Sequence, residues 1–254
     1  MGTNSLAPQH HILNGDALKD HFPDELTGEV IVLREALVEG SVSGKYPDGF
    51  FTTRALHISD NYPDTTAGGY RHKSALEIQK IGTIPAGSEV NLWFEDDLFC
   101  QVNFWFSVWL LQHYGKSNPL FLIRPGEQSP YSFAALDQKT LMNAFHQRKP
   151  IQSPGEIAAL WELYKAGKPK ELHAQAANLQ SQYPFILSAV EAHLDRFPVK
   201  GGPGRPERSL LRIMDELQTR EFGPVFREFT RREAIYGFGD LQVKALYDKL
   251  LASS

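Results

Sequence analysis

Four short apolar runs divide the first half of the chain, and each ends abruptly in polar or charged residues. Residues 10–13 close on Asn14, Gly15 and Asp16; residues 29–33 close on Arg34 and Glu35. Residues 89–94 close on three consecutive carboxylates, Glu95, Asp96 and Asp97, and residues 120–123 close on Arg124, Pro125 and Gly126. Near-continuous apolar strands of this length suit a sheet covered on both faces. Helical patterns lie between them, at 17–22 and, with a long apolar stripe, at 98–114. The alternation predicts an α/β domain: a short, mostly parallel sheet with flanking helices, Rossmann-like or flavodoxin-like. Residues 39–85 make an unusually long connection, rich in Gly, Pro, Asp and Thr. Helical patterns at 50–58 and 70–81, broken at Asn61-Tyr62-Pro63-Asp64, fit either a lid over the strand ends or a plain helical crossover.

Beyond Gln128 the period turns helical. Residues 132–145, 153–165, 169–180 and 184–197 carry apolar positions at three-to-four spacing. Ser153 followed by Pro154 reads as a helix start. Gly201, Gly202, Pro203 and Gly204 read as a linker, followed by short helical patterns at 207–217, 223–229 and 240–250. The expected organisation is therefore an α/β domain at 1–128, a helical region at 129–199, and a small helical or winged-helix-like unit at 200–254.

Charge and cysteine usage narrow the setting. Lys and Arg total 26 against 30 Asp and Glu, for a formal net charge of −4, which argues against a chain that binds nucleic acid or a membrane surface as a whole. The sign is uneven: residues 1–150 hold 12 basic against 17 acidic side chains, and residues 196–254 hold 11 against 8. Arginines in the tail suggest phosphate-backbone contact, but interleaved glutamates dilute that field and favour a solvated or interdomain face. Cys100 is the sole cysteine, which fits a reducing, cytoplasmic compartment. No basic start with an apolar run marks a secretory signal, and the longest apolar stretch falls short of a membrane span.

In an open parallel sheet, ligands sit outside the carboxyl ends of the strands. That rule gathers Asn14, Asp16, Arg34, Glu35, Glu39, Glu95, Asp97 and Arg124 towards one crevice, with Gln101 on the first turn of the following helix. Oxygen ligands from several strand tips suit a hard divalent cation, typically Mg²⁺, with Asp16 and Glu95 as its expected ligands. Arginines beside such an ion suit a small anionic ligand. Each residue also has a structural reading. Asp16 can cap the helix that starts at Ala17; Asp96 or Asp97 can cap the helix at 98; the arginines and acids can pair as a network. Cys100 lacks a placeable histidine base and reads as packed and inert. Glycine-rich dinucleotide and phosphate-loop signatures and zinc-type cysteine pairs are absent.

The stretches Ile12-Leu13-Asn14-Gly15-Asp16, Leu33-Arg34-Glu35-Ala36-Leu37-Val38-Glu39-Gly40 and Leu92-Trp93-Phe94-Glu95-Asp96-Asp97-Leu98-Phe99-Cys100-Gln101 together resemble a bacterial family known as domain of unknown function 1835. Glu233 and Tyr236-Gly237-Phe238-Gly239-Asp240-Leu241 resemble its frequent companion, domain of unknown function 3658. The resemblance implies that Asn14, Asp16, Arg34, Glu35, Glu39, Glu95, Asp97 and Gln101 are signature positions, and it carries no activity. Two functional readings follow. In one, the chain is a metal-assisted enzyme acting on a phosphorylated or nucleotide-like small molecule: Asp16, Glu95 and Arg34 do the chemistry, while Asn14, Glu35, Glu39, Asp97, Gln101 and Arg124 bind substrate. In the other, it is a non-catalytic ligand sensor or adaptor whose tail contacts a partner or nucleic acid.

Overall fold

A computed structural model describes residues 7–63, 65–126, 131–198 and 201–252. Five strands form one sheet in the order β2-β1-β3-β4-β5. They are β1 (Gln9–Asn14), β2 (Glu29–Leu33), β3 (Glu89–Trp93), β4 (Leu120–Ile123) and the two-residue β5 (Lys149–Pro150). The first four run parallel and β5 is antiparallel to β4. β1 sits between its neighbours with His11 opposite Val30 on one side and Asn91 on the other. Ile12, Leu13, Ile31, Val32, Leu92 and Trp93 are sealed from solvent, as a sheet covered on both faces demands. The α/β expectation therefore holds, strand by strand.

The helices follow the predicted order with shifted ends. After β1 comes only α1 (Asp16–Lys19), a single turn. The long connection is a helical crossover: α2 (Asp48–Asn61), α3 (Ala67–Tyr70), a π turn (Arg71–Ala75), α4 (Leu76–Gln79) and a 3₁₀ turn (Lys80–Thr83). It is packed down rather than poised as a lid, with Phe50, Tyr70 and Ile78 buried and α4 lying on β2. Part of the predicted break, Asp64, lies outside the described residues. Thr66 Oγ1 accepts from Gly69 N at 3.0 Å and so caps α3. The stripe after the acidic triplet becomes α5 (Leu98–His113). Only the second half of the predicted 132–145 helix forms, as α6 (Gln138–His146). Asp137 sets its start by accepting from Thr140 N at 2.8 Å. α7 (Pro154–Lys165) begins where Ser153-Pro154 predicted, with proline in the first turn, although the Ser153 side chain makes no cap bond.

Two compact units result: Met1–Glu95 with Cys100–Lys168, and Asp96–Phe99 with Pro169–Ser254. The division falls at 168 rather than at 128 and 200. α6 and α7 belong with the sheet because their aromatic residues complete its core: the Phe145 ring stacks on Trp93, and Trp161 lies 4.8 Å from Phe106, centroid to centroid. The second unit contains α8 (Pro169–Leu179), α9 (Pro184–Asp195), α10 (Arg205–Glu216), α11 (Phe222–Arg232) and α12 (Asp240–Ala252). Among its described residues there is no strand, so the helical alternative holds and no wing is present. The glycine-rich stretch after α9 is a tight packing point in its described part. A methyl group on Gly204 would overlap the Arg196 carbonyl, and Arg205 bridges to Asp195 at 3.3 Å. Among the described residues no helix is long and apolar enough to cross a membrane.

His11 belongs to the core. Trp93 Nε1 donates to its Nδ1 at 3.2 Å, so Nδ1 is the acceptor and the proton sits on Nε2, directed at the Thr27 carbonyl at 3.2 Å. Burial pushes its pKa down from 6.5 to about 4. Below pH 6.5 the unfolded chain binds a proton that the folded chain refuses, so stability must fall as the pH drops towards 4. The slope is about 1.4 kcal/mol per pH unit for one such group, or roughly 3 kcal/mol across the window. Urea unfolding at pH 7 and pH 4.5, read by tryptophan fluorescence, checks this. His11→Gln should reduce the slope by the His11 share and leave that of His10 and His57, which burial also lowers; an unchanged slope would assign it elsewhere.

Candidate functional site at the strand ends

The strand order reverses at β1: the chain leaves it for β2 on one side and returns to β3 on the other. The carboxyl ends of β1 and β3 therefore flank the crevice in which α/β sheets of this kind hold ligands. Asn14 ends β1, Glu95 lies two residues past β3, and Cys100 and Asn103 lie on the first turns of α5. These four side chains form one directed chain of hydrogen bonds. Asn103 Nδ2 donates to the Glu35 carbonyl and to Asn14 Oδ1, both at 2.7 Å. Asn14 Nδ2 then points at Cys100 Sγ at 2.8 Å. The thiol, its acceptor side taken by Asn14, donates to Glu95 Oε2 at 3.0 Å. The other Glu95 oxygen accepts from Phe133 N at 2.5 Å. Both Asn103 Nδ2 protons are used, and its amide oxygen is buried without a donor. Cys100 is buried, as its packed reading expected, but it links Asn14 to Glu95.

Gln101 also starts α5. Its Nε2 donates to the Glu95 carbonyl at 2.8 Å, and its Oε1 is likewise buried without a partner. Two residues along a helix is about 200° of turn, so Gln101 and Asn103 face opposite ways. They do not converge on one ligand atom.

Asp16 and Arg34 meet each other. Arg34 Nη2 and Nε bond Asp16 at 2.6 and 2.8 Å, and Arg34 Nη1 reaches the Lys73 carbonyl in the π turn at 3.4 Å. The N-cap position of α1 is Gly15, not Asp16. The Arg34 bonds, helped by the charges of Lys73 and Lys19, hold the Asp16 carboxyl below its ordinary pKa, and Asp16 raises that of Arg34 in return. Glu35 is occupied by structure. It is buried with Arg54 in a 2.9 Å ion pair, accepts from Ala36 N, and receives the Tyr70 hydroxyl. The remaining Arg54 donors go to the carbonyls of Ala36, Glu39 and Ser41. The Glu39 side chain accepts from the Tyr62 hydroxyl at 3.1 Å. Burial, and then the Glu35 charge, push the Tyr70 phenol well above its ordinary range.

Asp97 lies in the second unit, where its carboxylate sits against Gly237. Arg124 directly follows β4 and is partly buried. Arg34 and Arg124 follow strands β2 and β4, which are three strand spacings apart, roughly 14 Å. Sequence reasoning missed Asn103, Arg54, Tyr70 and Lys73. Only Asn103 carried a signal, as an amide inside an otherwise apolar helical stripe.

Neither expected metal ligand stands bare. A cation at Asp16 would have to displace Arg34, and one at Glu95 would compete with the thiol and with Phe133 N. Glu95 and Cys100 together offer oxygen and sulfur, a donor pair better matched to a borderline ion than to Mg²⁺. No family model, curated protein or solved structure matches the chain.

Proposed function

We propose that this chain is an enzyme acting on small anionic molecules, phosphorylated or nucleotide-like, at the carboxyl ends of β1 and β3. The observation that carries the reading is the junction of Asn14, Glu95, Cys100 and Asn103 at the sheet's reversal, with an amide oxygen buried and undonated. Such an orphan costs about 1–3 kcal/mol, which a ligand N–H or O–H would offset. In this reading Glu95 is the general base: it gives up the hydrogen bond it accepts from the Cys100 thiol, whose proton stays on sulfur, and takes a proton from substrate. Asn14 and Gln101 orient the substrate. Arg34, held in plane by Asp16 and flanked by Lys73, takes the anionic group. A divalent cation, when bound, would add charge neutralisation beside Glu95, because one at Asp16 would displace the Arg34 that takes the anion. The resemblance to domains of unknown function 1835 and 3658, a bacterial origin and a cytoplasmic setting belong to the same proposal. A lone cysteine and the lack of a spanning helix among the described residues agree with that setting.

All four tryptophans, at 93, 105, 109 and 161, lie in the α/β unit, so their fluorescence reports its melting. Melts with phosphate esters and nucleotides, with and without Mg²⁺ or Mn²⁺, should show one class raising the transition by about 5–10 °C at a hundredfold excess over Kd. Arg34→Gln should abolish the shift, and Glu95→Gln should keep binding but stop turnover. No shift with any anion would overturn the site. A shift with no product formed would replace the enzyme by the non-catalytic sensor, the reading that the mutually satisfied Asp16 and Arg34 favour.

A further inference from the structure

The second unit holds a cleft of about 380 Å³, lined by Leu211, Met214, Asp215, Gln218, Thr219, Arg220 and Leu251. That volume lies within the range of small-molecule sites. Its wall is the end of α10. The helix closes in a Schellman motif, with Gln218 N bonded to the Asp215 carbonyl at 3.2 Å and Thr219 N to the Met214 carbonyl at 3.3 Å. This motif needs a left-handed residue, normally glycine, at position 218. Gln218 stands there with φ +48°, the one non-glycine residue at positive φ among those described. Its side-chain Nε2 bonds back to the Asp215 carbonyl at 2.5 Å and braces the rim.

Charge makes the cleft specific. Arg205, Arg231 and Arg232 of this unit are each in ion pairs with nearby acids, whereas Arg208, Arg212, Arg220 and Arg227 are in none among the described residues, and of these four only Arg220 lines the cleft. Among the described residues the Asp215 carboxylate and the Arg220 guanidinium, exposed on the same cleft, have no ion-pair partner and do not pair with each other. Three apolar side chains, Leu211, Met214 and Leu251, line the same cleft, and Leu211 and Leu251 are left exposed at 40% and 36%. One anion-seeking group, one cation-seeking group and an aliphatic floor together describe a small zwitterion with an apolar side chain.

We propose that this cleft binds a molecule of the aliphatic α-amino acid class. Arg220 takes the carboxylate, Asp215 takes the ammonium, and Leu211, Met214 and Leu251 cover the side chain. Gln218 keeps a strained backbone because its amide braces the rim of the site, an instance of local strain held where a ligand binds. The assignment is independent of the strand-end site and would survive its failure.

Titration calorimetry on the full chain tests it, with L-leucine and L-methionine as probes. The comparison ligands are 4-methylpentanoate, which lacks the ammonium, and 3-methylbutylamine, which lacks the carboxylate. At least one amino acid should bind, and both comparison ligands should bind at least tenfold more weakly. Arg220→Gln should cost the amino acid tenfold or more while leaving the amine unchanged, and Asp215→Asn should do the reverse for the acid. Gln218→Gly should raise the melting temperature by relieving the left-handed strain and yet weaken binding, a combination that a purely structural role would not produce. Absence of heat with either amino acid at roughly 10 mM, a concentration generous for ligands this small, would overturn the proposal. Equal affinity for the truncated ligands, or variants that bind as wild type, would overturn it as well.

Discussion

Arg54→Met is expected to cost the α/β unit about 3–5 kcal/mol, a large share of the 5–15 kcal/mol that holds a typical domain together. Both partners of the Arg54–Glu35 pair have side chains sealed from solvent. Methionine keeps much of the arginine's length and apolar contact but none of its donors. Glu35 would keep only Ala36 N and the Tyr70 hydroxyl, and the carbonyls of Ala36, Glu39 and Ser41 would lose a charged donor. Removing one partner of a buried pair is worse than removing both, because an uncompensated charge remains. Glu35→Leu combined with Arg54→Met should therefore recover part of the loss. Urea unfolding followed by tryptophan fluorescence gives the measurement, and the single variant should lower the midpoint by roughly 2 M. A single-variant cost below about 1 kcal/mol, within the range of an exposed pair, would show that Glu35 does not depend on Arg54.

That network also shows where sequence reading stopped. The four parallel strands were legible because burial on both faces imposes a run of apolar residues that breaks sharply at each carboxyl end. The break itself pointed to Asn14, Arg34 and Glu95. What the strand tips could not reveal was partnership. Glu35 read as a substrate ligand because its companions, Arg54 and Tyr70, come 19 and 35 residues later on a crossover whose packing only the fold decides. Asp16 read as a cap or a metal ligand for the same reason: its guanidinium partner directly follows the next strand. Unit boundaries were hidden too. α6 and α7 have the helical period of everything downstream, and only the rings of Phe145 and Trp161, seated against Trp93 and Phe106, tie them to the sheet. The glycines before Arg205 suggested slack, yet Gly204 is a contact point that has no room for a side chain.

Gly237→Ala should destabilise the second unit by about 2–4 kcal/mol, from two separate causes. Gly237 has φ +62°, a left-handed conformation that costs an L-residue about 1–2 kcal/mol. The added Cβ would also overlap Asp97 Oδ1 and lie 3.1 Å from Phe99 Cβ, and overpacking of this kind costs roughly 1–3 kcal/mol. Asp97 is 2% exposed, so its carboxylate cannot swing into water to make room. Tryptophan fluorescence does not report this unit directly; hydrogen exchange of the α9 to α12 amides does, and protection there should drop. Asp97→Ala separates the two causes. In that background Gly237→Ala should cost less, the backbone share of about 1–2 kcal/mol plus the close approach to Phe99, because the overlapping oxygen is gone. If the full cost persists without the carboxylate, close packing against Asp97 is not what excludes a side chain at 237. If it shrinks as expected, the third acid of the triplet is accounted for by the Tyr236-Gly237 turn. A carboxylate so placed has a packing role of its own within the helical unit.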